Sequence, residues 1–488
     1  MTTTLISART APADLKGRQA LVVGLGESGL AMARWVHRQE ARVALVDTRQ
    51  LPPGAEALAV DVPDAQWRSR GVPLIGDVIT TCLAGINVLL LSPGVAFDSP
   101  LVVAARAQGI AVWSEMDCFL VAHAAACPSS KILAITGANG KTTTTALTAH
   151  VLHAAGIDAV ACGNISPSLL DALMARQDAG QWPAVWVLEL SSFQLEATQC
   201  MRSDAAIILN LSEDHLDRHV TMAGYAAAKG RIYEQSAYPL WNRADTWSDA
   251  YGLDLLKAAS IGDDAPTHDR DFGLVDGRIV QGTASLITVD SLPLLGRHNA
   301  LNVQAALALA QQVLPEGQQI TDLLPGVLSF TGLPHRVSPV ATIDDVRYVD
   351  DSKATNVGAT LAAIDGLYDP ARPHQKLAIL LGGEGKGQDF SPLTPALQRA
   401  GRAVALIGTD ATAIASVLPA SIPVAHFNDL PSATRWLADQ AAPGDTVLLS
   451  PACASLDMFR NYAERARVFI ETVQALNGLA PFTDGEAA

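Results

Sequence analysis

The sequence predicts an α/β protein of parallel sheets in three domains. Short β-rich apolar runs alternate with Ala- and Leu-rich helical stretches, the pattern of strands covered on both faces by crossover helices. These runs gather into three blocks, each strand run ending in glycines or a polar cluster. A length of 488 residues agrees, since a domain takes roughly 150 residues.

The first block, 1–120, opens with the strand Gln19–Val23, continues through Arg42–Val46 and Val88–Leu91, and fades into an Ala-rich stretch ending in Pro-Ser-Ser. The second, 121–332, opens with Lys131–Ile135 and holds the strands Ala184–Leu188 and Ala205–Leu209. Within it, 241–290 is the least legible part, and Asn242 to Leu253 reads as a surface insertion. The third, 333–488, holds strands at Val346–Val349, Lys376–Leu381, Ala403–Ile407 and Thr446–Leu449, then a helix near Tyr462 to Leu476. Gly332-Leu-Pro334, between the last two blocks, is the hinge candidate.

Lys+Arg is 34 against Asp+Glu 49, a formal charge of −15. That excludes general nucleic-acid binding, which needs a basic surface. Small anions stay open, because backbone N–H groups hold phosphate on an acidic protein. The N-terminal stretch lacks a basic start and apolar core, and no apolar run reaches the roughly 18 residues of a membrane helix. The six cysteines form no C-x-x-C pair, so reduced thiols and the cytoplasm are expected.

Gly24-Leu-Gly-Glu-Ser-Gly29 follows a strand and opens a helix, with Asp47 ending the next strand. This G-x-G-x-x-G pattern suits a diphosphate on a helix N-terminus, with Asp47 near a ribose or sugar hydroxyl. A tight βαβ turn needs the same glycines, and the pattern does not distinguish NAD from another diphosphate. Thr136-Gly-Ala-Asn-Gly-Lys-Thr142 is more specific: backbone N–H groups cradle phosphates, Lys141 meets the terminal ones, and the Thr142 hydroxyl reaches Mg²⁺. Its first glycine position holds Ile135, so this is the short G-x-x-G-K-T form.

Glu189 closes a strand beside that loop and is placed for Mg²⁺, although a helix-capping acid fits as well. His215 and His219 are four apart in Ser212-Glu-Asp-His-Leu-Asp-Arg-His219, but no third zinc ligand is evident. One histidine near phosphates fits better than zinc, and a surface histidine fits too. Asn299 and Asn302 open an Ala-rich helix, where an N-cap and a solvated amide are the plain reading. Three further polar strand ends stand at Asp350–Asn356, Gly382–Asp389 and Ser450–Phe459, where open α/β sheets bind ligands.

Taken in order, G-A-N-G-K-T, E-L-S-S-F-Q-L-E, E-D-H-L-D-R-H, H-N-A-L-N, G-L-P-H-R, D-D-S-K-A-T-N and S-P-A-C-A-S-L-D-M-F closely resemble the Mur ligase family of ATP-dependent amide ligases. The resemblance spans nearly the whole chain. It implies a Rossmann-like N-terminal domain, a central P-loop-type mononucleotide-binding domain and a C-terminal Rossmann-like domain. Within the family, three of these motifs resemble those of the member that adds D-glutamate to UDP-N-acetylmuramoyl-L-alanine, through an acyl phosphate. The D-N-P-R motif of the diamino-acid-adding member is absent.

Carried onto this chain, the resemblance makes Lys141, Glu189, His215 and Lys229 catalytic. It implies ATP on Gly137, Asn139, Gly140, Lys141, Thr142, Thr143, Asn299, Asn302, Arg336, Asp351 and Lys353. Two Mg²⁺ ions, which Mn²⁺ could replace, are expected: Thr142 and Glu189 hold one, His215 and a carbamylated Lys229 the other. Ser28, Asp47, Thr48, Arg49 and Asn164 hold the UDP substrate, and Thr355, Lys386, Ser455, Leu456 and Phe459 hold D-glutamate. No nucleic acid, no membrane and a monomer are expected. The rival readings are another amide ligase of folylpolyglutamate synthase type, an NAD-dependent oxidoreductase resting on Gly24–Gly29 alone, and a nucleotide-gated regulatory ATPase. The last two leave the phosphate loop or the third block's polar strand ends without a task.

Overall fold

The computed structural model describes residues 15–247, 251, 253–254, 258–294, 296 and 298–478. Three parallel-stranded sheets follow one another along the chain, each wrapped by helices. The first contains β1 (Gln19–Val23), β2 (Arg42–Asp47), β3 (Gln66–Arg70), β4 (Val88–Leu91) and β5 (Ala111–Ser114), in the order β3-β2-β1-β4-β5. β1 and β4 are buried along their whole length, which is why they read as unbroken apolar runs.

The second sheet contains β6 (Lys131–Thr136), β7 (Ala159–Gly163), β8 (Val185–Glu189), β9 (Ser203–Ile208), β10 (Ser236–Asn242) and β11 (Ala259–Ile261), ordered β11-β10-β9-β6-β8-β7. The poorly legible stretch resolves into β10, β11 and a small antiparallel sheet of β12 (Phe272–Val275), β13 (Arg278–Gln281) and β14 (Ala284–Thr288). Asp276 and Gly277 turn β12 into β13 with φ of 48° and 72°, the two-residue hairpin for which Asp-Gly is suited. The expected surface insertion is anchored in the core by some of its residues, while Ala244 and Thr246 are exposed. Asn242, Asp245 and Tyr251 are buried, and Asn242 Nδ2 donates to the Leu209 carbonyl at 2.8 Å. Positions 248–250 and 252 of that segment lie outside the described residues.

The third sheet contains β15 (Ser338–Ile343), β16 (Val346–Asp350), β17 (Leu377–Gly382), β18 (Gly401–Ile407), β19 (Val424–His426) and β20 (Thr446–Leu449), ordered β15-β16-β20-β17-β18-β19. β15 alone runs antiparallel, paired with β16. The helix Tyr462–Leu476 falls where the sequence predicts it.

The cores are unequal partners. One apolar cluster runs from the first sheet into the second and includes Met32, Phe119 and Trp186. Outside it, the helices Glu27–Arg38 and Leu169–Asp178 are tied by Arg34 to Asp171 at 3.1 Å and by Arg38 to Asp178 at 2.7 Å. The third domain has separate clusters, the first beginning at Val337. The second domain's other cluster ends at Phe330, with Leu333 packed against it. The break in packing therefore falls at the Gly332-Leu-Pro334 hinge candidate.

Candidate active site

β6 ends at Thr136, and the chain turns through Gly137 and Gly140 into the helix Lys141–Ala154. Gly140, at φ 82°, caps that helix, and a Cβ there would stand 2.6 Å from Asn302 Oδ1. Asn210 fastens the loop. Its carbonyl accepts from Ala138 N at 2.8 Å and its side chain bonds both ways with the Asn139 backbone, at 2.9 and 3.1 Å. Asn210 belongs to no motif of the sequence; what marks it is its place just past β9, beside the loop. Lys141 Nζ donates to the Gly137 and Ala138 carbonyls at 2.8 Å.

A cleft of about 750 Å³ opens over this loop, walled on its far side by the third domain. Gly140, Lys141, Thr142 and Thr143 line it with Glu189, and Arg336, Asp351, Lys353 and Thr355 face them. Arg336 Nη2 donates to Thr142 Oγ1 at 2.7 Å. Asp351 holds its own loop: one oxygen accepts from Val337 N at 3.2 Å and the other from Ser450 Oγ at 2.7 Å. The Lys353 ammonium lies 3.8 Å from the Tyr462 ring centroid. Asn299 and Asn302 are buried, bonded to each other at 2.8 Å, and Asn302 accepts from Thr144 at 3.2 Å. Their helix begins at His298, so Asn299 lies inside its first turn rather than capping it.

Lys229 is 1 % exposed and sits behind the loop, donating to Thr136 Oγ1 at 3.1 Å and to the Gly137 carbonyl at 2.9 Å. Burial, helped by Lys141 nearby, pushes its ammonium well below the usual lysine range. Burial likewise lowers Lys141, Arg336 and His215, and brings Lys353 down to about 8. Burial raises Asp351 to about 7. A cluster of desolvated cations around a phosphate loop is stabilised by an anion of high charge.

His215 is the N-cap of the short helix Leu216–His219 at φ 55°, and its ring and that of His219 pack on the same Phe193 and Tyr225. Its ring packs 4.8 Å from Phe193, and His219 Nε2 meets Ser192 Oγ at 2.9 Å. Among the described residues no group of three His, Cys, Asp or Glu side chains could hold a metal.

A second cavity of about 690 Å³ lies at the C-terminal edge of the first sheet, lined by Ser28, Asp47, Thr48 and Arg49. Gly29 lies so close to the Gly24 carbonyl that a Cβ would overlap it, the contact that makes the third glycine of the pattern necessary. Asp47 is 3 % exposed. One oxygen accepts from Leu25 N at 2.8 Å and the other from Arg49 N and Nε at 2.8 and 2.9 Å. Burial raises its carboxyl, but the bonds from Arg49 and Leu25 outweigh burial and hold it below the usual range. Asp47 therefore sets the glycine loop and Arg49. Asn164 and Glu27 line both cavities, and Asn164 Nδ2 donates to Glu189 Oε1 at 2.9 Å.

The remaining expected residues are spread out. Ser455 is buried, Leu456 is 68 % exposed, and Phe459 packs on the third domain's core. The ring that the segment turns to the cleft is Tyr462, at the start of the last helix. Lys386 is near enough to His215 for its charge to lower that imidazole.

Residues 18–114 match the domain described as "Mur ligase MurD-like, N-terminal domain", 135–310 "Mur ligase middle domain", and 335–453 "Mur ligase, glutamate ligase domain". The chain belongs to the Mur ligase family. It is 51 % identical over 465 residues to the UDP-N-acetylmuramoylalanine--D-glutamate ligase of Dechloromonas aromatica, covering 95 % of this chain and 99 % of that one. It is 47 % identical to the enzyme of the same name from Aromatoleum aromaticum, covering 95 % and 98 %. Among solved structures it is similar in fold to UDP-N-acetylmuramate-alanine ligase MurC from Thermotoga maritima, with a TM-score of 0.56, 18 % identity, and 94 % and 99 % covered.

The Mur ligase family is ATP-dependent and uses Mg²⁺, and the donor set fits such an ion. Glu189 Oε2 is buried without a hydrogen-bond partner, in the same cleft as Thr142. Glu189 and Thr142 are the residues that could hold such an ion, a carboxylate and a hydroxyl being oxygen ligands that a hard cation accepts.

Proposed function

We propose that the protein joins D-glutamate to the carboxylate of UDP-N-acetylmuramoyl-L-alanine at the expense of ATP, a step of peptidoglycan precursor synthesis. The observation that carries this is Asn164, which walls both cavities and touches Glu189. An elongated substrate anchored at Ser28, Asp47, Thr48 and Arg49 passes Asn164 and presents its acyl end to the phosphate loop.

Residues 1–120 then serve the UDP moiety, 121–332 ATP and 333–488 D-glutamate. Lys141, the N–H groups of Gly137–Thr143 (Asn139 among them), Arg336 and Lys353 hold the triphosphate from two sides, with Asn299, Asn302 and Asp351 around the nucleoside. A carboxylate oxygen of the substrate attacks the γ-phosphorus and ADP departs, leaving an acyl phosphate. The deprotonated amine of D-glutamate attacks the acyl carbon, a C–N bond forms, and the tetrahedral adduct expels phosphate. The chain's contribution is to align two anions and neutralise their repulsion. Thr355, Lys386, Ser455, Leu456 and Phe459 belong to the D-glutamate side, where Lys386 pairs with a carboxylate.

Mg²⁺ or Mn²⁺, when bound, supplies charge neutralisation for the phosphates. Thr142 and Glu189 would hold one ion, and His215 with Lys229 a second. An ammonium cannot ligate a cation. A buried lysine shifted toward its neutral amine adds to CO₂, forming an N–C bond and releasing a proton, and the resulting carbamate is an anionic oxygen donor. The reading carries with it a monomeric, cytoplasmic enzyme.

Phosphate release tests the proposal. It should require ATP, Mg²⁺, UDP-N-acetylmuramoyl-L-alanine and D-glutamate together. Release with L-glutamate in place of D-glutamate would overturn the stereochemical assignment.

A further inference from the structure

The helix Val357–Leu367 of the third domain lies on the central domain with small residues at the points of closest approach. A Cβ built on Gly358 would stand 2.7 Å from Ser212 Oγ, 3.0 Å from Ser212 Cβ and 3.1 Å from Asn139 Nδ2. Two turns on, a Cβ on Gly366 would stand 2.9 Å from both Gly296 Cα and His298 Nδ1. Midway, His298 is hydrogen-bonded to the Ala362 backbone. Positions 358, 362 and 366 recur at four-residue spacing, so they share one helix face.

Neither Gly358 nor Gly366 has a positive φ, so the helix does not need glycine for its backbone. Glycine inside a helix costs stability relative to alanine. What the two glycines give in return is space. They bring the helix backbone close to Asn139 of the phosphate loop and to the start of the helix that carries Asn299 and Asn302. On this side of the hinge the same domain delivers Arg336 to Thr142.

We infer that Gly358 and Gly366 are positioning residues that set how far the third domain closes on the central one. The inference rests on the proposed ligase reaction for its activity readout. A side chain at either position props the cleft open by the width of a methyl or more, and a misplacement of about 1 Å in such a site costs on the order of a hundredfold in rate. The helix itself gains from the same change.

The test is a graded series, Gly358→Ala, Gly358→Leu, Gly366→Ala and Gly366→Leu, in the full chain. Turnover should fall by about tenfold or more for alanine and further for leucine, with Tm equal to or above that of the parent. The KM for UDP-N-acetylmuramoyl-L-alanine should stay unchanged, because its anchor lies on the first domain. Small-angle scattering with ADP and Mg²⁺ should show a larger radius of gyration for the leucine variants than for the parent. Ser212→Gly placed on Gly358→Ala should restore turnover at least threefold. Leucine variants within twofold of the parent, a lowered Tm, or no recovery with Ser212→Gly would each overturn the inference. An inactive parent chain with an intact scattering difference would fail the ligase reading alone.

Discussion

The guanidinium of Arg336 donates to the hydroxyl of Thr142 at 2.7 Å, joining residues 194 positions apart. The third domain thus reaches the phosphate loop with a cation, across the cleft that both line. Burial has already weakened that cation's hold on its proton.

Arg336→Ala should therefore lower turnover by a hundredfold or more while leaving Tm within about 2 °C, since removing a desolvated cation relieves as much as it breaks. Arg336→Lys should recover little, because a point charge does not reproduce the planar fork. Phosphate-release kinetics beside differential scanning fluorimetry check both.

Lys229→Ala should be inactive, and short carboxylates such as formate or acetate should restore part of the activity by standing in for the carbamate. Lys229→Arg should not respond to them. Absence of any rescue across millimolar carboxylate would count against the modified lysine.

Lys353, brought down to about 8 by burial and by Arg336, is charged below that pH and loses its charge above it. The KM for ATP should accordingly rise as pH increases through about 8 in the free enzyme. Lys353→Gln should raise KM throughout and flatten that rise. Initial rates at pH 6.5 to 9.5 measure it.

Glu115 is 1 % exposed and burial raises its carboxyl to about 7. One oxygen accepts from Leu170 N at 3.0 Å, at the seam of the first two domains. Because the folded state favours the protonated form, this group's contribution is complete near pH 4.5 and is lost as pH rises through 7. Glu115→Gln should stabilise the protein at pH 8, by up to about 3 kcal/mol, and leave it nearly unchanged at pH 5. Denaturant midpoints at the two pH values decide it.

Much of the site was legible because its chemistry is local. The phosphate loop, Glu189 at the end of β8 and Lys141 follow from a strand, glycines and a helix within a few residues. Asn210 and Tyr462 were not legible, since an ordinary amide and an ordinary aromatic acquire a role only from what lies across from them. Phe459 and Tyr462 sit in the same segment, but Phe459 lies in the bend before the last helix and packs on the core, while Tyr462 opens that helix and lines the cleft.

By itself the sequence determined the three parallel sheets, through unbroken apolar runs that must be buried on both faces, and the anion-binding turns at their ends. Tertiary structure decided which of those turns meet. It placed Asn164 between two cavities, engaged the Asp47 carboxylate with both the glycine loop and Arg49, and brought Arg336 and the glycine face of Val357–Leu367 onto the phosphate loop. Those pairings depend on packing between residues far apart in the chain, to which local periodicity carries no information.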